Sequence, residues 1–351
     1  MSKLSKVVFG AVGVLAVLTA LHLYLNLGVS PATLLGEKSG TKVAAERFRV
    51  GFLPVTCHLT CPVTDWINKN TVGDGFYEPV RFSGFPEIKE SVIAGHLPAT
   101  FMLAPLAMAL VEQGVPVKIV YLGHRDGTAL MVQKDSGILT VKDLRGKRVA
   151  IPNRYSNQHL LLRKALADQG MTVDDIELVE MPPPDMPAAL YSKAVDGISS
   201  GEPFMAQTEM DGYGRVLFQA KDIWPDFISC VLVVSQKTID EHPEWVQQLV
   251  DGIAKSGLWL EDGMDHRMAA AQAVATGYYN QDPRLLSFVL SKPPDRVKYS
   301  NLRLARADFD EIATMAFEAG VLKRQLRFEE YADPRFSEKT ASAQAYTWKA
   351  Q

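Results

Sequence analysis

Between residues 48 and 234 the chain alternates short apolar or β-branched runs with segments of about ten residues at helical spacing, and this alternation restricts the fold more than any other feature. Phe48-Arg49-Val50-Gly51-Phe52-Leu53-Pro54 reads as a buried strand ending in a loop. A helix follows over 62–69, with Thr60 or Cys61 near its N-cap and Pro62 in its first turn. The spacing then predicts a strand at 77–82, a helix at 87–94, a strand at 99–103 running through Ala104-Pro105 into a helix to Glu112, and a strand at 117–122. Strands are predicted again at 127–133, 148–151, 176–180, 196–199, 216–218 and 230–234. Helices are predicted at 141–144, 159–169, 186–193 and 202–211, with Gly170 and Gly212 as stops. From Glu244 the pattern is helical, broken near Gly263, Gly277 and Pro293-Pro294. Parallel neighbours need helical crossovers, so the pattern predicts an α/β fold with mainly parallel sheets. One sheet would need too many strands; two lobes, each a sheet flanked by helices, are expected instead.

The N-terminus is different in kind. Lys3 and Lys6 precede an apolar run over 7–29, long enough as a helix to span a hydrocarbon core of about 30 Å. The run exceeds the usual signal core of roughly 7–15 residues, and His22-Leu23-Tyr24-Leu25-Asn26-Leu27 lacks a small-residue cleavage site. An uncleaved signal anchor is favoured over a cleaved signal peptide. Both place the rest of the chain on the extracytoplasmic side, with the lysines inside. No Cys precedes Cys57, so a lipoprotein anchor is not expected. Residues 30–47 read as a polar linker, and 331–351 as a C-terminal tail, loose from Ser337 onward.

Charge excludes one class of partner. With 37 Lys+Arg against 40 Asp+Glu, the chain has no basic footprint for nucleic acid. No Ser-His-Asp order, P-loop or H-E-x-x-H motif suggests catalysis.

Three stretches carry a family resemblance. They are Gly51-Phe52-Leu53-Pro54-Val55-Thr56; Gly95-His96-Leu97-Pro98-Ala99-Thr100-Phe101-Met102-Leu103-Ala104-Pro105; and the pair Met181-Pro182-Pro183-Pro184-Asp185-Met186 and Gly201-Glu202-Pro203-Phe204-Met205-Ala206-Gln207. The last pair is the most specific. Together they resemble the nitrate/sulfonate/bicarbonate (taurine-type) substrate-binding proteins of ABC transporters over about residues 48–325. The resemblance implies a two-lobed type II periplasmic-binding-protein fold with two crossover strands and a ligand between the lobes. Lobe one would comprise 48–127 and 233–330, and lobe two 128–232. Each matched stretch is a strand-to-helix junction, where open α/β sheets bind ligands and free backbone N–H groups attract anions.

The candidate ligand-binding residues follow from those junctions. Thr56, Cys57 and His58 occupy the first loop and offer hydroxyl, thiol and imidazole groups. Cys57 and Cys61 are four apart, and three readings stay open: a disulfide, free thiols, or metal binding with His58. Cys230, in an apolar strand, reads as core. Ser83, Gly84 and Phe85 follow the second strand, where the family often has an aromatic wall; an ordinary core Phe is the alternative. Pro105 closes the second matched stretch. Thr128 stands at the first crossover, where the resemblance implies a polar ligand contact. Ser156 and Asn157 precede a helix and serve as caps, ligand donors or both. Arg154 reads as an exposed side chain or an anion partner. Glu202 opens a helix, where a carboxylate suits the dipole, and it would accept from N–H, O–H or a cation.

One departure bears on the solute. Nitrate and bicarbonate members place a charged side chain on a helix after the second crossover, and the similar stretch here is Trp259-Leu260-Glu261-Asp262, without a Lys. That disfavours nitrate and makes Asp262 a candidate site residue. The expected function is non-catalytic capture of a small polar solute for an ABC permease and ATPase, without cofactor or metal. The alternatives are an enzyme of the same fold in cofactor-precursor synthesis, using Cys57, His58 and Glu202, and a membrane-anchored sensor.

Overall fold

The computed structural model describes residues 48–349. The predicted membrane segment at 7–29 and the linker at 30–47 lie outside the described residues. Among those described, no helix is long and apolar enough to cross a membrane.

The strands are β1 (Phe48–Phe52), β2 (Tyr77–Arg81), β3 (Ala99–Met102), β4 (Val117–Asp126), β5 (Thr128–Gln133), β6 (Arg148–Ile151), β7 (Glu177–Glu180), β8 (Gly197–Gly201), β9 (Gly214–Gln219), β10 (Ile228–Ser235) and β11 (Val297–Lys298). They form two sheets, a six-stranded one in the order β11-β4-β10-β3-β1-β2 and a five-stranded one in the order β7-β6-β8-β5-β9. The chain leaves the first sheet at Gly127 and returns to it at β10.

The expectation of mainly parallel sheets is corrected. β1 runs parallel to β2 and β3, and β6 parallel to β7 and β8. β10 is antiparallel to both β3 and β4, β11 is antiparallel to β4, and β5 is antiparallel to β8 and β9. The reason lies in the chain path. A strand that returns from the other sheet re-enters from the far end and must run against its neighbours.

The junction between β4 and β5 needs glycine. Gly127 has φ +63°, and a Cβ there would lie 2.5 Å from Val297 Cγ1 and 2.7 Å from His124 Cε1. Its N–H donates to Arg296 O at 2.8 Å, which holds β11 against the crossover.

Helices flank both sheets, as the spacing predicts. Ala104–Glu112 presents an almost continuous apolar surface and is buried along most of its length, whereas Phe85–Ile93 turns only Phe85, Ile88 and Val92 inward. The C-terminal segment departs from the expected loose tail. Arg335–Glu338 is helical, and Phe336 is buried. Farther on, Trp348 meets Trp66 edge to face at 4.8 Å between centroids, while its carbonyl accepts from Trp259 Nε1 at 2.9 Å. Indole area of this size repays the entropy of ordering a terminus.

Candidate ligand-binding site

The first matched loop lies where the two sheets meet. After β1 the chain passes Pro54 into a one-turn helix at Thr56–His58 and then into the helix Thr60–Thr71. Carbonyls in this loop are held by side chains distant in sequence. Tyr279 Oη donates to Val55 O at 2.7 Å, Tyr299 Oη to Thr56 O at 3.0 Å, and Gln281 Nε2 to Pro54 O at 3.3 Å.

Thr56 joins the sheets directly. Its N–H donates to Glu202 O at 2.8 Å, and its hydroxyl donates to the same oxygen at 3.2 Å. A hydroxyl has one proton, so at His124 Nε2, 2.9 Å away, Thr56 Oγ1 accepts. That assigns the His124 proton to Nε2 and leaves Nδ1 as a buried acceptor without a partner. Burial lowers the pKa of His124, with Cys57 and Asp126 opposing.

His58 has the complementary arrangement. Leu53 N–H donates to His58 Nδ1 at 2.7 Å, so the ring carries its proton on Nε2. This Nε2–H is buried and unpartnered. The ring stacks on Phe101 at 5.2 Å and meets Phe85 edge-on at 6.2 Å.

Of the three readings open for Cys57 and Cys61, the structure has free thiols, and the near partner of Cys57 is Cys230. Cys57 Sγ lies 2.8 Å from Cys230 Sγ, and all three cysteines are buried free thiols. Cys61 belongs to the next helix, where the Tyr77 hydroxyl donates to its carbonyl, and burial pushes its thiol up. Two residues four apart share a face only within one α-helix, and here the one-turn helix ends at His58. A Cys57–Cys61 disulfide is therefore not formed, and Cys230 does more than fill the core. Burial pushes Cys57 up, but the hydrogen bond with Cys230 and the nearby His58 and His124 outweigh it and hold its pKa well below the ordinary thiol value. Burial and the Cys57 charge push Cys230 well above. The first proton lost by the pair is that of Cys57.

Among the described residues, Cys57, His58 and Cys230 are also the one group whose ligand atoms lie within 4.8 Å of one another as a metal site would need. The tautomer opposes metal. Ligation by His58 Nε2 would move its proton to Nδ1, facing the Leu53 N–H.

The second sheet brings its own polar groups to the junction. Gln158 Nε2 donates to Thr128 Oγ1 at 3.1 Å, and Asn157 Nδ2 donates to Ile228 O at 2.6 Å. Their carbonyl oxygens, with Ser199 Oγ on β8 and, from the first sheet, Ser229 Oγ on β10, are buried and unpartnered. Ser156 caps the helix Asn157–Ala167 by accepting from His159 N–H. Glu202 does not offer the free acceptor expected of it. Oε1 meets Arg296 Nη1 at 2.8 Å, and Oε2 accepts from Ala206 N–H at 2.8 Å. Burial raises its pKa against the attraction of Arg296.

Other candidates are placed apart. Gly84 precedes the helix Phe85–Ile93 and Phe85 begins it; Phe85 is buried, while Ser83 is exposed with its N–H held by Glu87. Pro105 lies buried in the first turn of Ala104–Glu112. These two helices face Asn153 and Tyr155 across a cavity of about 190 Å³, with Phe85 as a wall shared with His58. Arg154 pairs with Glu180 at the surface. Asp262 does not join the site. It ends the helix Pro243–Asp262 with its side chain 67% exposed, 3.9 Å from His266 Nδ1. Glu261 is held by Arg267 and the Tyr299 N–H.

Sequence reasoning missed His124, Gln158, Ser199, Ser229, Tyr279, Arg296 and Tyr299. His124-Arg125-Asp126 had a readable signal, three polar residues closing an apolar strand. The others sit in runs whose composition does not set them apart.

Two sheets joined by crossing strands, with polar groups converging where they meet, define an α/β architecture of the kind found in solute-binding components of import systems. The chain belongs to the NMT1-like family, whose model matches residues 42–275. It is 33% identical over 170 residues to the taurine-binding periplasmic protein of Escherichia coli, covering 45% of this chain and 51% of the relative. It is 28% identical over 191 residues to the nitrate import ATP-binding protein NrtC of Synechocystis sp., covering 50% of this chain and 28% of the relative. The match covers 28%, 32% and 30% of the lengths of three transport ATP-binding proteins of Synechocystis sp. and Synechococcus elongatus. The zinc-bound ligand-binding component of an ABC-type import system from Staphylococcus aureus superimposes with TM-score 0.74 at 25% identity, covering 84% of this chain and 98% of that one. The desulfurization enzyme DSZB shares the fold, with TM-score 0.61 at 18% identity over 84% of this chain and 98% of that one.

Proposed function

We propose that this chain is the extracytoplasmic solute-binding component of an ABC importer, delivering a small polar solute to a permease and its ATPase. One observation carries the reading: buried polar atoms without partners lie on both sides of the Thr56–Glu202 contact between the sheets, His58 Nε2 and His124 Nδ1 on the side of the first, and Asn157 Oδ1, Gln158 Oε1 and Ser199 Oγ on that of the second. A donor, two amide acceptors, a ring nitrogen and a hydroxyl match a small solute that both donates and accepts. In this reading, residues 48–127 with 233–330 and residues 128–232 act as lobes. They close on a solute that bridges them, and the closed state is the one the permease engages. Residues 7–29 act as signal anchor or signal peptide. The E. coli taurine-binding relative supports a solute of that size.

An enzymatic reading is favoured by one feature, the lowered pKa of Cys57, and by the fold shared with DSZB. The two readings separate in one experiment. The full chain is screened by thermal shift and mass spectrometry against taurine, alkanesulfonates, bicarbonate and nitrate. A solute bound intact at one per chain, raising stability by about 2.7 kcal/mol at a hundred times its Kd, is expected. Ser199→Ala should lower affinity about tenfold, the loss of one hydrogen bond of about 1.4 kcal/mol. A folded chain stabilised by none of these solutes, or one that converts them, overturns the proposal.

A further inference from the structure

We propose that Cys57 and Cys230 form a redox-active pair that closes reversibly into a disulfide between the first ligand-facing loop and β10, with Cys61 taking no part. The pair lies 173 residues apart in sequence, yet its sulfurs are 2.8 Å apart, between the bonded distance of about 2.05 Å and ordinary contact. The approach is built into the backbone. At Gly123, on β4 beside Cys230, a Cβ would come within 2.1 Å of Cys57 O, so only glycine lets the loop lie this close. The solute-binding reading assigns the two thiols no hydrogen bond to the solute, and the inference rests on that reading only for the extracytoplasmic placement of the chain.

The surroundings give the two sulfurs different roles. The Cys230 S–H, 2.8 Å away between sulfurs, favours the thiolate on Cys57. Cys57 is the attacking sulfur and Cys230 the resolving one. The oxidant is a small-molecule or protein disulfide, a class suited to the extracytoplasmic side. Both sulfurs are buried, so exchange proceeds through local opening of the loop, in which the Cys57 thiolate attacks one sulfur of R–S–S–R, forming Cys57–S–S–R and releasing RS⁻. Cys230 gives its proton to that thiolate, making RSH, and then attacks the Cys57 sulfur and expels the second RS⁻. Two protein thiols are oxidised by two electrons, and one external disulfide is reduced to RSH and RS⁻. The metal alternative for the same cluster is opposed by the His58 tautomer.

The test uses the full chain, equilibrated native and also refolded in glutathione buffers of stepped oxidised-to-reduced ratio, then blocked with iodoacetamide in denaturant and digested. Mass spectrometry should find a cross-linked peptide pair carrying Cys57 and Cys230, lighter by two hydrogen atoms than the reduced pair, with Cys61 alkylated. Cys61→Ser should leave the cross-link intact, and reduction with dithiothreitol should reverse it. Three alkylated cysteines at every ratio under both regimes would overturn the proposal, as would a Cys57–Cys61 link. So would an equimolar metal ion, measured by elemental analysis, that is lost in Cys230→Ser.

Discussion

Replacing Glu202 by alanine removes half of a buried ion pair that ties the end of β8 to the segment before β11. The Arg296 and Glu202 side chains are 4% and 2% exposed, with Nη1 and Oε1 2.8 Å apart. At that distance and an effective dielectric of about 20, the gross attraction is about 6 kcal/mol, most of it offset by desolvation. Burial lowers the Arg296 pKa, but Glu202 and Glu209 together outweigh it, whereas Glu202, with one cation, is pushed up. Losing one partner of such a pair costs about 3–5 kcal/mol. Arg296 keeps Glu209 at 2.8 Å, which places the ionic loss near the lower bound, while Ala206 N–H loses its acceptor at about 1 kcal/mol. The sum is about 4 kcal/mol. With unfolding entropy of about 2.1 cal/mol/K per residue over residues 48–349, Tm falls by about 6 °C. Scanning calorimetry of the full chain measures this. Adding Arg296→Met to Glu202→Ala should recover part of the loss, because the buried cation deprived of Glu202 is then removed, and the Glu209 it leaves behind is 37% exposed and can be solvated. A fall under about 2 °C, or a double variant equal to the sum of the single ones, would refute the reasoning.

Two more predictions concern the same junction. Gly123→Ala must push the Cys57 carbonyl away, at a cost of about 2–3 kcal/mol, visible as a lower urea midpoint with unchanged slope; an unaltered midpoint would show that the loop yields freely. Burial lowers the pKa of His124, and likewise of His159, below the ordinary 6.5. The unfolded chain therefore binds these protons first, and the stability they contribute is present above pH 6.5 and lost as pH falls through the folded values. Each contributes up to about 1.4 kcal/mol between pH 7.5 and 5.5, and the raised pKa of Glu202 opposes them. The urea midpoint should fall over that range, and His124→Gln should flatten the fall; a profile identical in the variant would contradict the assignment.

Much of the fold is legible because secondary structure is written in local periodicity. The spacing predicts a helix that ends at Glu112 and a strand over 148–151, and the structure has that helix end and that strand. Burial repeats every two residues in a half-buried strand and every 3.6 in a helix, so nearby residues suffice. The triple-proline and Gly201–Gln207 stretches likewise point to the family, because backbone geometry at those turns depends on the residues within them. Some of the candidate site was readable for the same reason: Thr56, Thr128 and Asn157 all lie at strand ends or helix starts.

Other features depend on which distant segments meet, and local sequence carries no record of that. β10 is an apolar strand by composition, but its place between β3 and β4, and its direction, follow from where the chain re-enters the sheet. Cys57 has Cys61 close in sequence, yet its sulfur meets Cys230. Glu202 reads as a helix-opening acceptor, yet Arg296, 94 residues away, occupies it. The sequence by itself determined an α/β chain with its candidate ligand loops at strand-to-helix junctions. The tertiary structure decided which polar groups in those loops are neutralised and which are left to act, because pairing across two sheets is set by the path of the chain.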